Sequence, residues 1–412
     1  MTARYAKLKF TAPVPATGTA TGSVFLDGVA AYNPPGLVNP VSFFKRGWLA
    51  MAQGSTLYGC AVGAAGSGTE ADGEAYVWEP MTLSGLQAAA SGAVPAANSA
   101  VFTVRKNGAD TALTCTIGAG ATAASDVAHS VDFSRGDRFA LKIVSSAAAG
   151  TNDYKASLKA TLLDSAIGLP YLQFSGSLLG SPSIYGEANA ANVTNEVQKA
   201  VPLPRCLITY PIVVVRPNDS EIMTINRNAT VLPARWSLDG AAAATAQLLE
   251  IPEFLYADMD LLTCQKTTST NPGGNAVIKL KRTAGASYDP CPALFSSLNQ
   301  AQATTFYMGG YGSAQNATEN KVQVPMPNCT VKNLRASADA APPAGQTITL
   351  TLRKNGVDTT LTSQITSAGR PAFDLSGSHA VVFAAGDLLS IKCVTSATTG
   401  TKYTNASVEA FV

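Results

Sequence analysis

The sequence predicts an all-β chain of three tandem jelly-roll-like β-sandwich modules preceded by an extended N-terminal arm. Three observations lead there. A set of landmarks recurs three times in fixed order. The segments that carry it alternate apolar and polar residues with a period of two. No stretch shows the periodicity of an amphipathic helix. At 412 residues the chain also exceeds one ordinary core and implies several domains.

The repeat is clearest in its outer copies. Residues 102–117 read FTVRKNGADTALTCTI and residues 350–365 read LTLRKNGVDTTLTSQI. The middle copy is weaker, and VVVRPNDSEIMTI places Arg216, Pro217, Asn218 and Asp219 where the outer copies have Arg105 and Arg353 with their Lys-Asn-Gly. Tyr-Gly pairs occur at Tyr58, Tyr185 and Tyr311. Pro-containing segments follow as VWEPM from Val77, VPLPRC from Val201 and VPMPNC from Val324. After the hairpin come RGDRFALKI, YADMDLLTC and AGDLLSIKC, which align Asp137, Asp258 and Asp387. Each copy closes on a strand: ASLKATL, AVIKLK and ASVEAFV. These landmarks set the modules at 47–165, 166–285 and 286–412, with residues 1–46 as the arm.

Local chemistry agrees with strands. In FALKI, Phe139, Leu141 and Ile143 share one face, and in LLSIKC, Leu389, Ile391 and Cys393 do the same. Asn-Gly between two such runs predicts a tight hairpin, because both residues tolerate positive φ. About eight short strands in roughly 120 residues fit a jelly roll better than an immunoglobulin sandwich, whose Cys-Trp-Cys pattern is missing. The arm, with PATGTATG and NPPGLVNP, reads as extended chain that orders on a partner.

Composition narrows function. Charged residues are 14% of the chain, against roughly 25% in a typical globular protein, and the net charge is +2. There is no basic stripe, so nucleic acid is not an expected partner. The longest strongly apolar run, Cys206–Val215, is too short for a membrane helix, and no membrane insertion is expected. The N-terminal residues lack an apolar signal-peptide core, which points to synthesis and release in the cytoplasm. Seven cysteines without close pairs suggest neither a disulfide framework nor a zinc site.

No catalytic, cofactor-binding or metal site emerges. The two histidines, His129 and His379, hold matching places in the outer copies, and the middle copy has none. Catalysis would need a carboxylate or nucleophile beside each. A loop or strand-edge role is the simpler expectation, with a pH sensor as the functional alternative. Cys264 aligns with Cys393 and with Ile143, while Cys206 aligns with Cys329 and Met81; sites that accept Ile or Met are core-filling sites. Asp137, Asp258 and Asp387 suggest a turn whose carboxylate accepts backbone N–H groups, since one acid per copy is too few for calcium. Arg135-Gly136-Asp137 is an integrin-type tripeptide in one copy alone. Sequons at Asn192, Asn228, Asn316, Asn328 and Asn405 carry little weight without a secretion signal. Trp48, Trp78 and Trp236 are too few and scattered to predict a sugar platform.

The paired segments RKNGADTALTCTI…SVDFSRGDRFALKI and RKNGVDTTLTSQI…AVVFAAGDLLSIK resemble tail-fibre, head-fibre and capsid-decoration proteins of bacteriophages. Those modules are similar to trimeric jelly rolls of the tumour-necrosis-factor and complement type. The resemblance covers both outer modules, the middle one poorly and residues 1–46 not at all. It implies a non-enzymatic structural protein of the virion surface, a capsid decoration or head-fibre component; the arm, residues 1–46, is then expected to hold it to other virion proteins. A tail-associated receptor-binding protein that touches host glycans is the alternative, and a polysaccharide depolymerase a third. The resemblance also implies threefold packing. Either three chains form a homotrimer with stacked modules, or the three modules of one chain form a pseudo-threefold knob; the expectation leans to the homotrimer, with the sandwiches in line.

Overall fold

The computed structural model describes residues 42–59, 62–63, 66–77, 79–146, 151–163, 171–175, 183–185, 200–215, 221–228, 230–238, 247–248, 254–266, 274–281, 283, 291–296, 301–309, 315–368, 372–396 and 402–411. The chain divides into two units after Leu37, and all described residues belong to the second, Val38–Val412. The described residues are almost entirely β-structure in six sheets, paired as three sandwiches.

The first module comprises β1 (Ser42–Ala52), β2 (Thr56–Gly59), β3 (Val62–Gly63), β4 (Ala75–Tyr76), β5 (Met81–Ala90), β6 (Ala100–Lys106), β7 (Ala109–Ile117), β8 (Ala123–Phe133), β9 (Arg138–Ser145) and β10 (Thr151–Leu162). One sheet runs β3-β1-β10-β5-β8, and the facing sheet runs β2-β9-β6-β7 with β4 also on β9. The chain thus crosses repeatedly between sheets, and the last strand slots between the first and the fifth, which is jelly-roll connectivity. Between the sheets lies an aromatic core. Trp48 meets Phe102 edge-on at 5.9 Å, and Phe102 meets Tyr154 at 6.1 Å. Burying each such ring contributes about 1.5–3 kcal/mol.

The second module holds β11 (Tyr171–Ser175), β12 (Ser183–Tyr185), β13 (Val201–Pro202), β14 (Cys206–Val215), β15 (Glu221–Arg227), β16 (Thr230–Leu238), β17 (Gln247–Leu248), β18 (Phe254–Tyr256), β19 (Leu261–Lys266) and β20 (Gly274–Lys281). Its sheets run β11-β20-β14-β17 and β12-β19-β15-β16. The third holds β21 (Pro292–Ser296), β22 (Thr305–Met308), β23 (Gln315–Asn316), β24 (Val324–Pro325), β25 (Cys329–Ala338), β26 (Thr347–Lys354), β27 (Val357–Thr366), β28 (Ala372–Asp374), β29 (Val381–Phe383), β30 (Leu388–Thr395) and β31 (Thr404–Phe411). Its sheets run β21-β31-β25-β28 and β23-β22-β30-β26-β27. Its core is mainly aliphatic, with Leu350, Leu352, Ile391 and Val408 fully buried.

Four expectations change. First, β1 begins at Ser42 and pairs with β10 from Ser42↔Ala160, so the first sandwich takes in residues the sequence reading gave to the arm. Second, the middle hairpin is not at Arg216, which lies with Pro217, Asn218 and Asp219 outside the described residues. It joins β15 to β16 at Asn228, whose φ of 51° matches 52° at Asn107 and 51° at Asn355. Asn226 therefore stands where the outer copies have Arg105 and Arg353, and the same bulge precedes all three turns. Third, Tyr58 and Tyr307 occupy one place, opposite Lys142 and Lys392, so the Tyr-Gly pair at Tyr311 was the wrong landmark; Tyr311 itself lies outside the described residues.

Fourth, the sandwiches do not stand in line. They pack on one another in a cycle. β24 of the third module packs against β10 and β5 of the first, and β13 of the second packs against β31 and β25 of the third. The second module completes the cycle, with β11 against β3 and Lys279 on β20 paired with Glu79 of the first. Two seams repeat one hydrogen bond. Ser157 Oγ donates to the Pro325 carbonyl, and Ser407 Oγ donates to the Pro202 carbonyl at 2.6 Å.

Candidate functional site

The most strongly built features are three recurring clamps and the seams between modules. The first clamp locks the hairpin turn. Asn107 Nδ2 donates to Asp137 Oδ1 at 2.8 Å, and Asn107 Oδ1 accepts the Arg138 N–H. Asn355 does the same to Asp387 and Leu388, and Asn228 to Asp260 and Leu261. The second carboxylate oxygen accepts a backbone N–H from Ser134, Ala257 or Ala384. Burial pushes the carboxyls of Asp137 and Asp387 up, but the Asn, Lys and backbone donors outweigh it and leave both below the usual range.

The turn role expected of Asp137 and Asp387 is thus present, but the middle partner is Asp260, not Asp258. The two-residue error has a physical source. Gly136 and Gly386 sit at φ of 90° and 88°, and the middle copy puts Met259 there at 73°. Without the glycine the motif shifts in the sequence. Cys264 shifts with it: it pairs with Ile225 as Ile391 pairs with Leu352, so it matches Ile391 and Leu141 rather than Cys393. The tripeptide at Arg135 is part of this turn, with Asp137 fully engaged.

The second clamp joins the two sheets at the outer flank. Asp126 accepts the Thr114 N–H at 3.0 Å and Asp374 accepts the Thr362 N–H at 3.1 Å. Each carboxylate also meets a histidine Nδ1, His129 at 2.9 Å and His379 at 2.8 Å. The carboxylate that a catalytic histidine would need is therefore present in both copies, yet it is a structural acceptor for the neighbouring sheet. Burial raises both carboxyls, and for Asp126 the Thr114 N–H with His129, for Asp374 His379 with the Thr362 N–H, bring them below the usual range. Neither carboxylate was singled out in the sequence; an Asp upstream of each histidine was the available signal.

The third clamp holds the hairpin to the short turn before β4 or β24. Arg105 pairs with Glu70 and Asp110, and Arg353 with Glu319 and Asp358. Lys142 and Lys392 close each group on the same aspartate, and Tyr58 or Tyr307 underlies the guanidinium. The middle copy has Asn226 at this place.

Five cysteines, Cys115, Cys206, Cys291, Cys329 and Cys393, are buried free thiols. Burial pushes Cys115, Cys206, Cys329 and Cys393 up to about 12, so they remain protonated and unreactive at neutral pH. Cys206, Cys329 and Met81 do share a place, opposite Tyr256, Phe383 and Phe133. Among the described residues no group of three or more His, Cys, Asp or Glu is placed to hold a metal. An open groove of about 490 Å³ on the third module is lined by Lys354, Val382 and Phe411 and, among the described residues, by no Asp or Glu. Of the sequons, Asn405 is wholly buried and Asn228 is tied into its turn.

The seams bury polar side chains on the sheet face that alternates with the core. Along β10 the core face is Tyr154, Ala156, Leu158 and Ala160, and the seam face includes Lys155 and Ser157, each 1% exposed. Along β31, Asn405, Ser407 and Glu409 are equally buried. Lys155 Nζ donates to the Asn320 carbonyl, and Lys45 Nζ donates to the Leu294 carbonyl at 2.7 Å over the Phe295 ring. At the seam between the second and third modules Arg335 bridges Glu409 at 3.0 Å and Asp258, from the second module, at 2.9 Å. The sequence marks these closing strands but not what covers their polar face. Among the described residues no helix is long and apolar enough to cross a membrane. No protein-family model matches the chain, and no curated protein sequence matches it.

Proposed function

We propose that the chain is a non-enzymatic structural protein of a virion surface, a capsid decoration or head-fibre component, acting as a single-chain pseudo-threefold knob held to the particle by its N-terminal residues. One observation carries the reading: three jelly rolls of one polypeptide contact each other cyclically, with Ser157–Pro325 and Ser407–Pro202 at equivalent places in successive seams. Heterologous contacts that close in three use up the surfaces through which separate copies would trimerise. The recurring acids and bases support it, because each is tied to a turn, a sheet flank or a seam. The resemblance of the hairpin segments to phage fibre and decoration proteins supplies the virion context.

The test is attachment. Deleting residues 1–37 leaves β1 intact and should give a folded chain that no longer co-sediments with its parent particle. Deleting residues 1–46 also removes the first half of β1, including buried Lys45 and Arg46, and should lower stability sharply. Co-sedimentation of the folded shorter deletion would contradict the anchoring role.

A second reading, receptor binding, is favoured by a difference between the outer modules. Phe373 and Val382 are 59% and 67% exposed in the third module, where the first has Ser125 and Asp132. Exposed apolar side chains at positions that are polar in the first module suit a contact surface. Loss of host-cell binding by Phe373→Ser, with particle attachment retained, would favour it.

A further inference from the structure

The three seams differ in how they are held. The first module is linked to the second by the chain, and so is the second to the third. The third meets the first only through non-covalent contacts. These are side-chain donors on backbone carbonyls: Ser157 to Pro325, Lys155 to Asn320, Lys45 to Leu294, and Asn320 Nδ2 to Ser91 at 2.9 Å. One position sets this seam apart. Lys155 lies opposite Ala89, and the matching register positions of the other closing strands, opposite Ser337 and Val214, hold Asn405 and Asn275. The seam without a covalent tie is therefore the one with an amine where the others have a neutral amide.

We propose that the seam between the first and third modules is the joint at which the ring opens, and that its opened faces take up the matching faces of a second copy of this chain. The argument rests on the single-chain ring proposed above. The two faces are heterologous, the β10–β5 face on one side and the β24 ridge on the other. When they part, each fits the opposite face of another copy as well as it fitted its own. Two opened chains then close on each other with every seam restored, so exchange needs no new interface.

The amine makes opening depend on protons. Burial drives Lys155 down to about 8; Asp153 on its own strand opposes the shift, and Lys321 from the turn before β24 adds to it. The other groups around it are Lys45, on the flanking β1 at Ser157's level, and the uncharged Gln87 and Ala89 of β5; Glu319 in the facing turn is engaged by Arg353 and Ser390. Opening returns the amine to water, where it holds its proton up to an ordinary value near 10.4. The open state thus binds the proton more tightly, and acidification through this interval favours opening. Between about pH 9.5 and about pH 7 the opening constant should rise about 30-fold.

The experiment mixes two differently labelled populations of the full chain at high concentration, at about pH 7 and about pH 9.5, and follows mixed dimers by energy transfer and light scattering. Wild type should form mixed dimers at the lower pH and few at the higher, and Lys155→Asn, the residue of the other two seams, should remove the difference. Hydrogen exchange of wild type adds a reading that does not depend on a variant folding: after correction for intrinsic rates, β10 and β24 should be less protected than β13 and β31 at about pH 7. No mixed dimers at either pH would overturn the proposal, as would a pH difference that survives Lys155→Asn, or equal protection of the two seams. A stable three-chain mass at both pH values would overturn the single-chain ring itself, and the joint with it.

Discussion

The first and third modules share a frame and differ in filling. The Asn–Asp turn lock recurs atom for atom. The Asp–His flank clamp and the Arg–Glu–Asp–Lys hairpin clamp recur in their residue types, with His129 three residues after its Asp and His379 five. The core does not. Phe102 faces Ile143 where Leu350 faces Cys393, and buried Cys115 has Ser363 as its counterpart. Backbone groups that need partners tolerate few solutions, whereas an apolar volume accepts many. The seams extend the contrast: Arg335 stands in the third module where the first has Gln87, both buried.

The largest effect should come from that difference. Arg335→Ala leaves Glu409, 4% exposed at its side chain, without its buried cation. It should cost about 3–5 kcal/mol in denaturant unfolding, whereas Gln87→Ala should cost far less. Comparable losses would mean that the two seams are held in the same way.

Next come the flank clamps. Asp126→Asn and Asp374→Asn should each cost about 1–3 kcal/mol, and by similar amounts, because each carboxylate accepts the same backbone N–H and faces a histidine. Both carboxyls are held below their ordinary value in the folded chain. Their contribution is complete above the unfolded value and is lost as pH falls through the lower folded one. Acid titration of stability should therefore steepen below about pH 4, and less so in either variant. A slope unchanged by both substitutions would remove the clamps from the account.

Much of this frame was legible in the sequence. The Asn-Gly turns and the alternating strands stated the fold, since each records a local backbone requirement. The middle hairpin was misplaced because Met259 and Asn228-Ala229 replace the glycines that mark it elsewhere, while Asn228 and Met259 keep the positive φ of their counterparts. The seams were illegible for another reason. Lys155, Ser157 and Ser407 alternate with apolar residues as a solvated face does, and only packing against another module reveals that both faces are buried. The same limit hid the roles of Asp126 and Asp374, whose Thr114 and Thr362 partners lie on a strand of the facing sheet.

Two smaller effects sharpen the comparison. Met259→Gly should stabilise the middle module by about 0.5–1 kcal/mol in thermal unfolding, because it relieves a side chain at φ of 73°. Destabilisation would show that the Met side chain is needed for packing. Among the described residues, buried Ser363 Oγ has no hydrogen-bond partner, and Ser363→Cys, the residue type of the first module, should raise stability by about 0.5–1 kcal/mol. A loss would mean that the hydroxyl has a partner in solution.

The central claim is that one polypeptide closes the threefold by itself, and the absolute mass of the purified chain tests it most directly. Light scattering at about pH 9.5 and low concentration, where the Lys155 seam is most firmly shut, should return the 42.3 kDa of a single chain. A mass three times that, persisting on dilution, would contradict it.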